Sequence, residues 1–256
     1  MRNILLTLSY DGTNFSGWQK QENEKTGPIR TVQDEIQKVL AVIHKEPIAL
    51  AGSGRTDSGV HAAGQAATFI SPIDSIPIEN YIPAINSRLP HDIRILNAVE
   101  KPMDFHARFS ATRRTYHYVI HCGSPLAHQM PYVWPIYRYP DIERLNNMAS
   151  CLQGEIDCTT FSAAGDLSVS KHRFLEKAIF YPEGDTLVFE ICANAFLWKM
   201  VRSITGSLLH YELKGKDKSF FQEILDGRDR TKAGPTAPAK GLFLWNVGFS
   251  GKRIHP

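Results

Sequence analysis

Long hydrophobic runs are missing from this chain of 256 residues. The longest apolar runs, such as Ile4-Leu5-Leu6, cover only a few residues, whereas a helix that crosses a bilayer needs about 20. The first residues carry one arginine and a short apolar stretch that Thr7 and Ser9 interrupt, which is not the pattern of a secretory signal. We therefore expect a cytoplasmic protein with no membrane partner.

Cysteine is also scarce, with four residues that lie far apart and form no C-x-x-C motif: Cys122, Cys151, Cys158 and Cys192. This spacing excludes a disulfide framework and a zinc site built from cysteine pairs. His61, His106 and His117 could suggest a metal, but they lack the H-x-x-x-H spacing that places two ligands on one helix face. We expect reduced thiols and no metal.

A strong charge of either sign is missing as well. Lys and Arg total 29 against 26 Asp and Glu, and the formal net charge of +3 is too small to indicate an anionic partner by itself. The content of 43% hydrophobic and 21% charged residues excludes a disordered, collagenous or coiled-coil chain. At about 150 residues per domain, the length predicts one large domain or two small ones.

Hydrophobic periodicity predicts the order βαββαβ twice along the chain. In the first half we expect strands at 3–10, 47–52, 62–70 and 93–99, a helix that begins after Thr31, and a helix at 79–88. In the second half we expect strands at 115–121, 174–181, 186–193 and 242–249, and helices at 141–152, 195–211 and 218–225. Two such units indicate an α+β fold of two βαββαβ-like halves with mostly antiparallel sheets.

The boundary between the halves is expected near residues 101–109, where Pro102 interrupts the pattern and the composition changes. This divides the chain into an N-terminal α+β domain of residues 1–106 and a C-terminal α+β domain of residues 107–256. A central basic cleft between them is the expected binding site.

Acidic residues are absent between Asp104 and Asp141. The same interval holds four arginines and four histidines: Arg108, Arg113, Arg114, Arg138, His106, His117, His121 and His128. Eight aromatic residues are interleaved with them: Phe105, Phe109, Tyr116, Tyr118, Tyr132, Trp134, Tyr137 and Tyr139. Because arginines bind phosphates and aromatic rings stack on bases, this interval predicts RNA binding, with Arg108, Arg113 and Arg114 as candidates. The alternative is a basic edge hairpin that packs on its own core.

A glycine-rich loop carries the second signal. Between Glu46 and Asp74 the one acidic residue is Asp57, within AGSGRTDSGVH at 51–61. Its glycines let the backbone approach a ligand closely, so the loop can hold one carboxylate in a fixed position. A polar turn in which Asp57 bonds its own backbone is one alternative. A phosphate-binding loop is another, but it needs a helix after Gly59, where the sequence alternates like a strand.

Short motifs recur in a fixed order along nearly the whole chain: YDGT at 10–13 with GWQ at 17–19, TVQ at 31–33, the Asp57 loop continuing to GQ at 64–65, LPHDI at 89–93, ARFSA at 107–111 with YHY at 116–118, ANAFL at 193–197 with MVR at 200–202, and TAP at 236–238 with GL at 241–242. In this order they resemble the bacterial tRNA pseudouridine synthase A family. The resemblance implies isomerisation of uridine to pseudouridine at positions 38, 39 and 40, on the 3′ side of the tRNA anticodon stem-loop. It also implies a homodimer that acts on tRNA and needs no cofactor.

The resemblance assigns roles to single residues. Asp57 stands where the family keeps its catalytic aspartate, and Arg55 where it keeps an arginine that helps to hold the flipped-out nucleotide. Tyr116 matches the tyrosine that stacks on the target base, and Arg202 matches the arginine that pairs with the aspartate. For Arg202 the alternative is a solvent-facing position on its helix.

These residue types fit the implied reaction, which breaks the bond between C1′ and N1, turns the uracil and joins C1′ to C5. An ionised Asp57 could attack C1′, add to C6 or remove a sugar proton, and these three routes stay open. The Tyr116 hydroxyl is a further candidate base for the C5 proton. A noncatalytic RNA-binding protein or tRNA chaperone is the alternative function, and it would not need Asp57.

The chain departs from the family pattern in a few places. Ser53 and Ser58 stand where small alanines are expected in the Asp57 loop. Trp198-Lys199 replaces a more usual polar or histidine-containing pair, and the segment 162–172 resembles the family weakly. These departures concern loop packing and RNA contacts more than catalysis.

Overall fold

The computed structural model describes residues 1–23, 27–252 and 254, which form two compact units. The first unit contains residues 1–23, 27–112 and 244–251, and the second contains 113–243, 252 and 254. Residues 24–26 of the predicted N-terminal domain and 253, 255 and 256 of the predicted C-terminal domain lie outside the described residues. The expected α+β class with mostly antiparallel strands is confirmed.

In chain order, the helices and strands are β1 (Arg2–Tyr10), β2 (Glu22–Asn23), β3 (Gly27–Pro28), α1 (Val32–His44), β4 (Leu50–Gly52), β5 (His61–Ser71), α2 (Tyr81–Asn86), β6 (Ile93–Lys101), β7 (Arg113–His121), β8 (Trp134–Pro135), α3 (Ile142–Ala149), β9 (Gly154–Asp157), β10 (His172–Glu183), β11 (Thr186–Ala193), α4 (Met200–Leu213), α5 (Lys218–Asp226) and β12 (Leu242–Gly248). Short 3₁₀ turns precede α2 and follow α3.

In the first unit, β1 is the central strand and pairs antiparallel with β5 on one side and β6 on the other. The short β4 adds to β5, and α1 packs against α2 and β4. As predicted, α1 begins after Thr31, whose hydroxyl accepts a hydrogen bond from the Asp34 amide at 3.4 Å. This cap satisfies one of the amides that the first helical turn leaves open.

In the second unit the strand order is β7-β11-β10-β9, all antiparallel, and β8 adds to β7 in parallel. Helix α3 packs against β10, α4 and α5. Side-chain caps start two of these helices: Asp141 accepts from the Arg144 amide at 3.0 Å for α3, and Asp217 accepts from the Phe220 amide at 3.0 Å for α5. The predicted hairpin of 174–181 and 186–193 is β10 and β11.

Four predicted elements differ from the structure, one of which is the helix expected at 141–152, where α3 ends at Ala149 and a 3₁₀ turn follows. The helix expected at 195–211 begins only at Met200, because Lys199 takes a left-handed conformation with φ of 59°. The helix expected at 79–88 is divided into a 3₁₀ turn and α2, and the strand expected at 47–52 is reduced to Leu50–Gly52. Among the described residues, no helix is long and apolar enough to cross a membrane.

Candidate functional site

The Asp57 loop joins β4 to β5 in the first unit and is bonded to β5 at its base. The Ser53 amide donates to the Ala66 carbonyl at 2.8 Å, and the Ser53 hydroxyl donates to Oε1 of Gln65 at 2.7 Å. Nε2 of Gln65 then donates to the Gly54 carbonyl at 3.1 Å. Ser53, where an alanine was expected, is therefore part of the base of the loop, together with Gln65 of the GQ motif.

A buried threonine anchors the middle of the loop. The Thr56 hydroxyl lies 2.9 Å from the hydroxyl of Tyr10, and the Thr56 carbonyl accepts from the Trp18 amide at 3.2 Å. On either side of this anchor, Arg55 is exposed and Asp57 is partly exposed. The anchor thus leaves one cation and one carboxylate at the surface of a loop that is bonded to the rest of the unit.

The glycines of the YDGT and GWQ motifs let the segment 10–19 lie directly on this loop. A Cβ at Gly12 would stand 2.0 Å from the Val60 carbonyl oxygen. Gly17 has φ of +91°, and a Cβ there would stand 2.6 Å from the Thr56 carbonyl oxygen. Because side chains do not fit at either position, we infer that these motifs hold the Asp57 loop in place. Residue spacing alone did not show this role.

The loop runs directly into a strand. Strand β5 begins at His61, so no helix starts after Gly59, and the phosphate-binding interpretation of the loop is wrong. His61 is buried and its Nδ1 accepts from the Gly12 amide at 3.0 Å. His106 Nδ1 accepts from the Arg108 amide at 3.0 Å. In the described part of the chain, no three His, Cys, Asp or Glu side chains are grouped as metal ligands.

In the second unit, Tyr116 and Tyr118 lie on the same face of β7, as alternation predicts. Tyr116 is 8% exposed, and its ring meets Phe196 edge to face at a centroid distance of 5.0 Å. Tyr118 is fully buried, and its hydroxyl donates to the Pro238 carbonyl at 2.8 Å. Burial raises the pKa of the Tyr118 hydroxyl far above its usual value, although the nearby Arg202 charge opposes the shift. Tyr118 is therefore a neutral donor.

Arg202 lies on α4 and is partly buried. Its Nε donates to the Ala237 carbonyl at 2.8 Å, and the Ala237 amide donates to the Arg202 carbonyl at 3.1 Å. This placement differs from a solvent-facing helix position. It also gives the TAP motif at 236–238 a structural role, because Ala237 orients Arg202 while Pro238 holds Tyr118.

The arginines of the acid-poor interval divide into two groups. Arg108 and Arg113 are exposed. Arg114, on the opposite face of β7 from Arg113, is buried and donates to the Asn194 carbonyl at 2.7 Å. Arg138 forms an ion pair with the buried Glu212. Arg114 and Arg138 therefore have contacts inside the unit, which the charge pattern alone did not indicate.

Comparison with known proteins matches residues 7–110 and 148–250 to a family described as tRNA pseudouridine synthase. The tRNA pseudouridine synthase A of Treponema denticola is 59% identical over 249 residues, which cover 97% of this chain and 93% of that protein. The enzyme of that name from Treponema pallidum (strain Nichols) is 53% identical over 236 residues, covering 92% and 84%. The one from Brachyspira hyodysenteriae is 44% identical over 252 residues, covering 97% and 99%. The similarity thus extends over most of the chain.

Proposed function

Because this chain belongs to the tRNA pseudouridine synthase family, we propose that it isomerises uridine to pseudouridine at positions 38, 39 and 40 of the tRNA anticodon stem-loop. The observation that carries the proposal is the anchored loop of the first unit, which holds Asp57 and Arg55 at the surface on either side of Thr56. One fixed carboxylate suits a reaction that needs a nucleophile or base, and one exposed cation suits a polyanionic substrate.

Asp57 is the catalytic residue in this proposal. It acts by one of three routes: attack on C1′, addition to C6 or removal of a sugar proton. Whichever operates, the uracil must leave the base stack, at a cost of a few kcal/mol that is smallest in a loop or at a stem end. Stacking on Tyr116 offsets about 1–3 kcal/mol of this cost. The edge contact of Phe196 supports the assignment, because it holds the Tyr116 ring in one orientation.

Arg202 is the proposed partner of the Asp57 carboxylate, with which it forms a charge-assisted hydrogen bond when bound RNA excludes water from the site. The bond from its Nε to Ala237 supports this role, since it limits the orientations of the guanidinium. Arg55, Arg108 and Arg113 are the proposed phosphate contacts. Arg114, the other arginine predicted to bind RNA, is buried and donates to the Asn194 carbonyl.

Release of tritium tests the function. Wild-type protein is incubated with tRNA carrying tritium at C5 of uridine, and joining C1′ to C5 expels that label into water. We expect release of the label carried by uridines at 38, 39 and 40, and none from a matched tRNA with cytidines there. Binding of tRNA without any release would instead support the RNA-binding or chaperone alternative.

Salt dependence distinguishes the two groups of arginines. Each phosphate contact contributes about −0.7 to −0.9 to the slope of log K against log salt, so we expect a slope steeper than about −2 for tRNA. Arg108→Ala should make the slope shallower by about one such contribution. Arg138→Ala, which removes an internal ion pair, is the control and should lower the melting temperature without changing the slope. A wild-type slope shallower than about −2 would contradict the assignment of this surface to RNA.

The proposed assembly is a homodimer, as the family resemblance implies, and the proposed location is the cytoplasm, as the sequence predicts. Sedimentation equilibrium should give twice the chain mass of 28.8 kDa. A mass that stays at one chain across the concentration range would contradict this part of the proposal.

A further inference from the structure

Two segments that lie far apart in sequence are joined to each other in the second unit. The Asp166 carboxylate accepts from the Trp198 amide at 2.6 Å. The Ala163 amide donates to the Trp198 carbonyl at 3.0 Å. The segment 162–172 therefore bonds both backbone groups of Trp198.

The Asp166 carboxylate accepts several hydrogen bonds. Its side chain is 4% exposed and accepts from Nζ of Lys171 at 2.6 Å and from the Ser168 amide at 2.9 Å. Burial opposes ionisation, but the hydrogen bonds from Lys171, Trp198 and Ser168 hold the pKa of the Asp166 carboxyl well below its usual range. The carboxylate is therefore ionised at any working pH, and its hydrogen bonds to the segment before α4 persist.

The segment bonded to Asp166 exposes a large aromatic ring and a cation. Trp198 is 47% exposed, although large aromatic side chains are usually buried. Lys199 is also exposed, and its Nζ lies 4.8 Å from the Trp198 ring centre. A Cβ at Gly165 would stand 2.9 Å from the ring, so the glycine gives the ring room to lie against this loop. In this arrangement Lys199 adopts a left-handed backbone conformation.

We propose that Trp198 and Lys199 form a second RNA-binding site, in which the indole stacks on an unpaired base and the ammonium contacts a phosphate. An exposed aromatic ring beside a cation is the usual composition of a site for single-stranded nucleic acid. The site immediately precedes α4, the helix that carries Arg202, and so belongs to the same rigid segment. It rests on the proposed function, since it takes the substrate of that function as its ligand. Asp166 is a positioning residue for it.

Equilibrium binding of tRNA to Trp198 variants tests the stacking contact. Loss of a stacked base by alanine substitution weakens binding about 5- to 150-fold, so we expect that range for Trp198→Ala and a much smaller change for Trp198→Phe. Turnover at saturating tRNA should remain within about two-fold of wild type for both. Trp245→Ala is the matched control, because Trp245 in the first unit is equally exposed at 47%; its affinity should not change.

Salt titration tests the lysine separately. Lys199→Ala should make the binding slope shallower by about 0.7–0.9, and Lys199→Arg should retain it. Lys216→Ala is the control, because its Nζ also lies over an aromatic ring, that of Phe220, at 4.4 Å; it should leave the slope unchanged. Asp166→Asn should also weaken tRNA binding, as Trp198→Ala does. Its turnover at saturating tRNA should be unchanged.

The outcomes separate this site from the proposed function. Wild-type affinity of a folded Trp198→Ala, together with normal tritium release, overturns the second site and leaves the catalytic proposal intact. An equal loss of affinity in Trp245→Ala also overturns it, since the effect would then be general. If Trp198→Ala binds tRNA more weakly but the wild-type protein releases no tritium, the second site is supported and the catalytic proposal is contradicted. If the alanine variant does not fold, Lys199→Ala keeps the test decisive, because an unchanged salt slope in that variant also overturns the site.

Discussion

Asp57→Asn is expected to reduce pseudouridine formation to less than a few per cent of wild type, while tRNA affinity stays within a few-fold. The amide has nearly the shape of the carboxylate but is neither a nucleophile nor a base at neutral pH. The loop is held by Ser53, Thr56 and Gln65, so the substitution leaves its supports in place. Tritium release and equilibrium tRNA binding measure the two quantities on the same preparation.

The control for this variant is Asp74→Asn, which changes an exposed carboxylate of the first unit that pairs with the N-terminal amine. It should retain full activity. If Asp57→Asn keeps more than a few per cent of the wild-type rate, Asp57 has no covalent or proton-transfer role in the reaction.

Arg202→Ala is expected to lower the rate at neutral pH severely, because the Asp57 carboxylate loses its proposed counter-ion. Removing one partner from a fully buried pair costs roughly 3–5 kcal/mol, whereas an exposed pair contributes about 0–1 kcal/mol. Both side chains are partly exposed, so we expect a coupling of about 1 kcal/mol. The double variant Arg202→Ala with Asp57→Asn should then be more stable than additivity predicts.

Thermal unfolding of wild type, both single variants and the double variant measures this coupling. Arg202→Lys is the matched control, because it keeps the charge but lacks the Nε–H that donates to Ala237. We expect it to recover part of the stability that Arg202→Ala loses, but little of the rate. Additivity within about 0.5 kcal/mol would mean that Asp57 and Arg202 do not interact in the free protein, and that any pairing requires bound RNA.

The residues of the candidate site were predicted from motifs. The contacts that the motif residues make could not be predicted in this way. The TAP motif at 236–238 marked the family without indicating that Ala237 binds Arg202 and that Pro238 binds Tyr118. The four arginines of the acid-poor interval looked equivalent in sequence. The structure separates them, because Arg114 meets the carbonyl of Asn194, 80 residues away, and such a contact depends on strand pairing.

Features that depend on neighbouring residues could be predicted from the sequence. The Thr31 cap of α1 and the alternation that puts Tyr116 and Tyr118 on one face both arise within a few residues, so local patterns predict them. Only the tertiary structure decided where α4 begins. Met200 follows the left-handed Lys199, and the amide of Trp198 just before it donates to Asp166, 32 residues away. Helical periodicity continues through 195–199 in the sequence, and a contact formed only on folding overrides it.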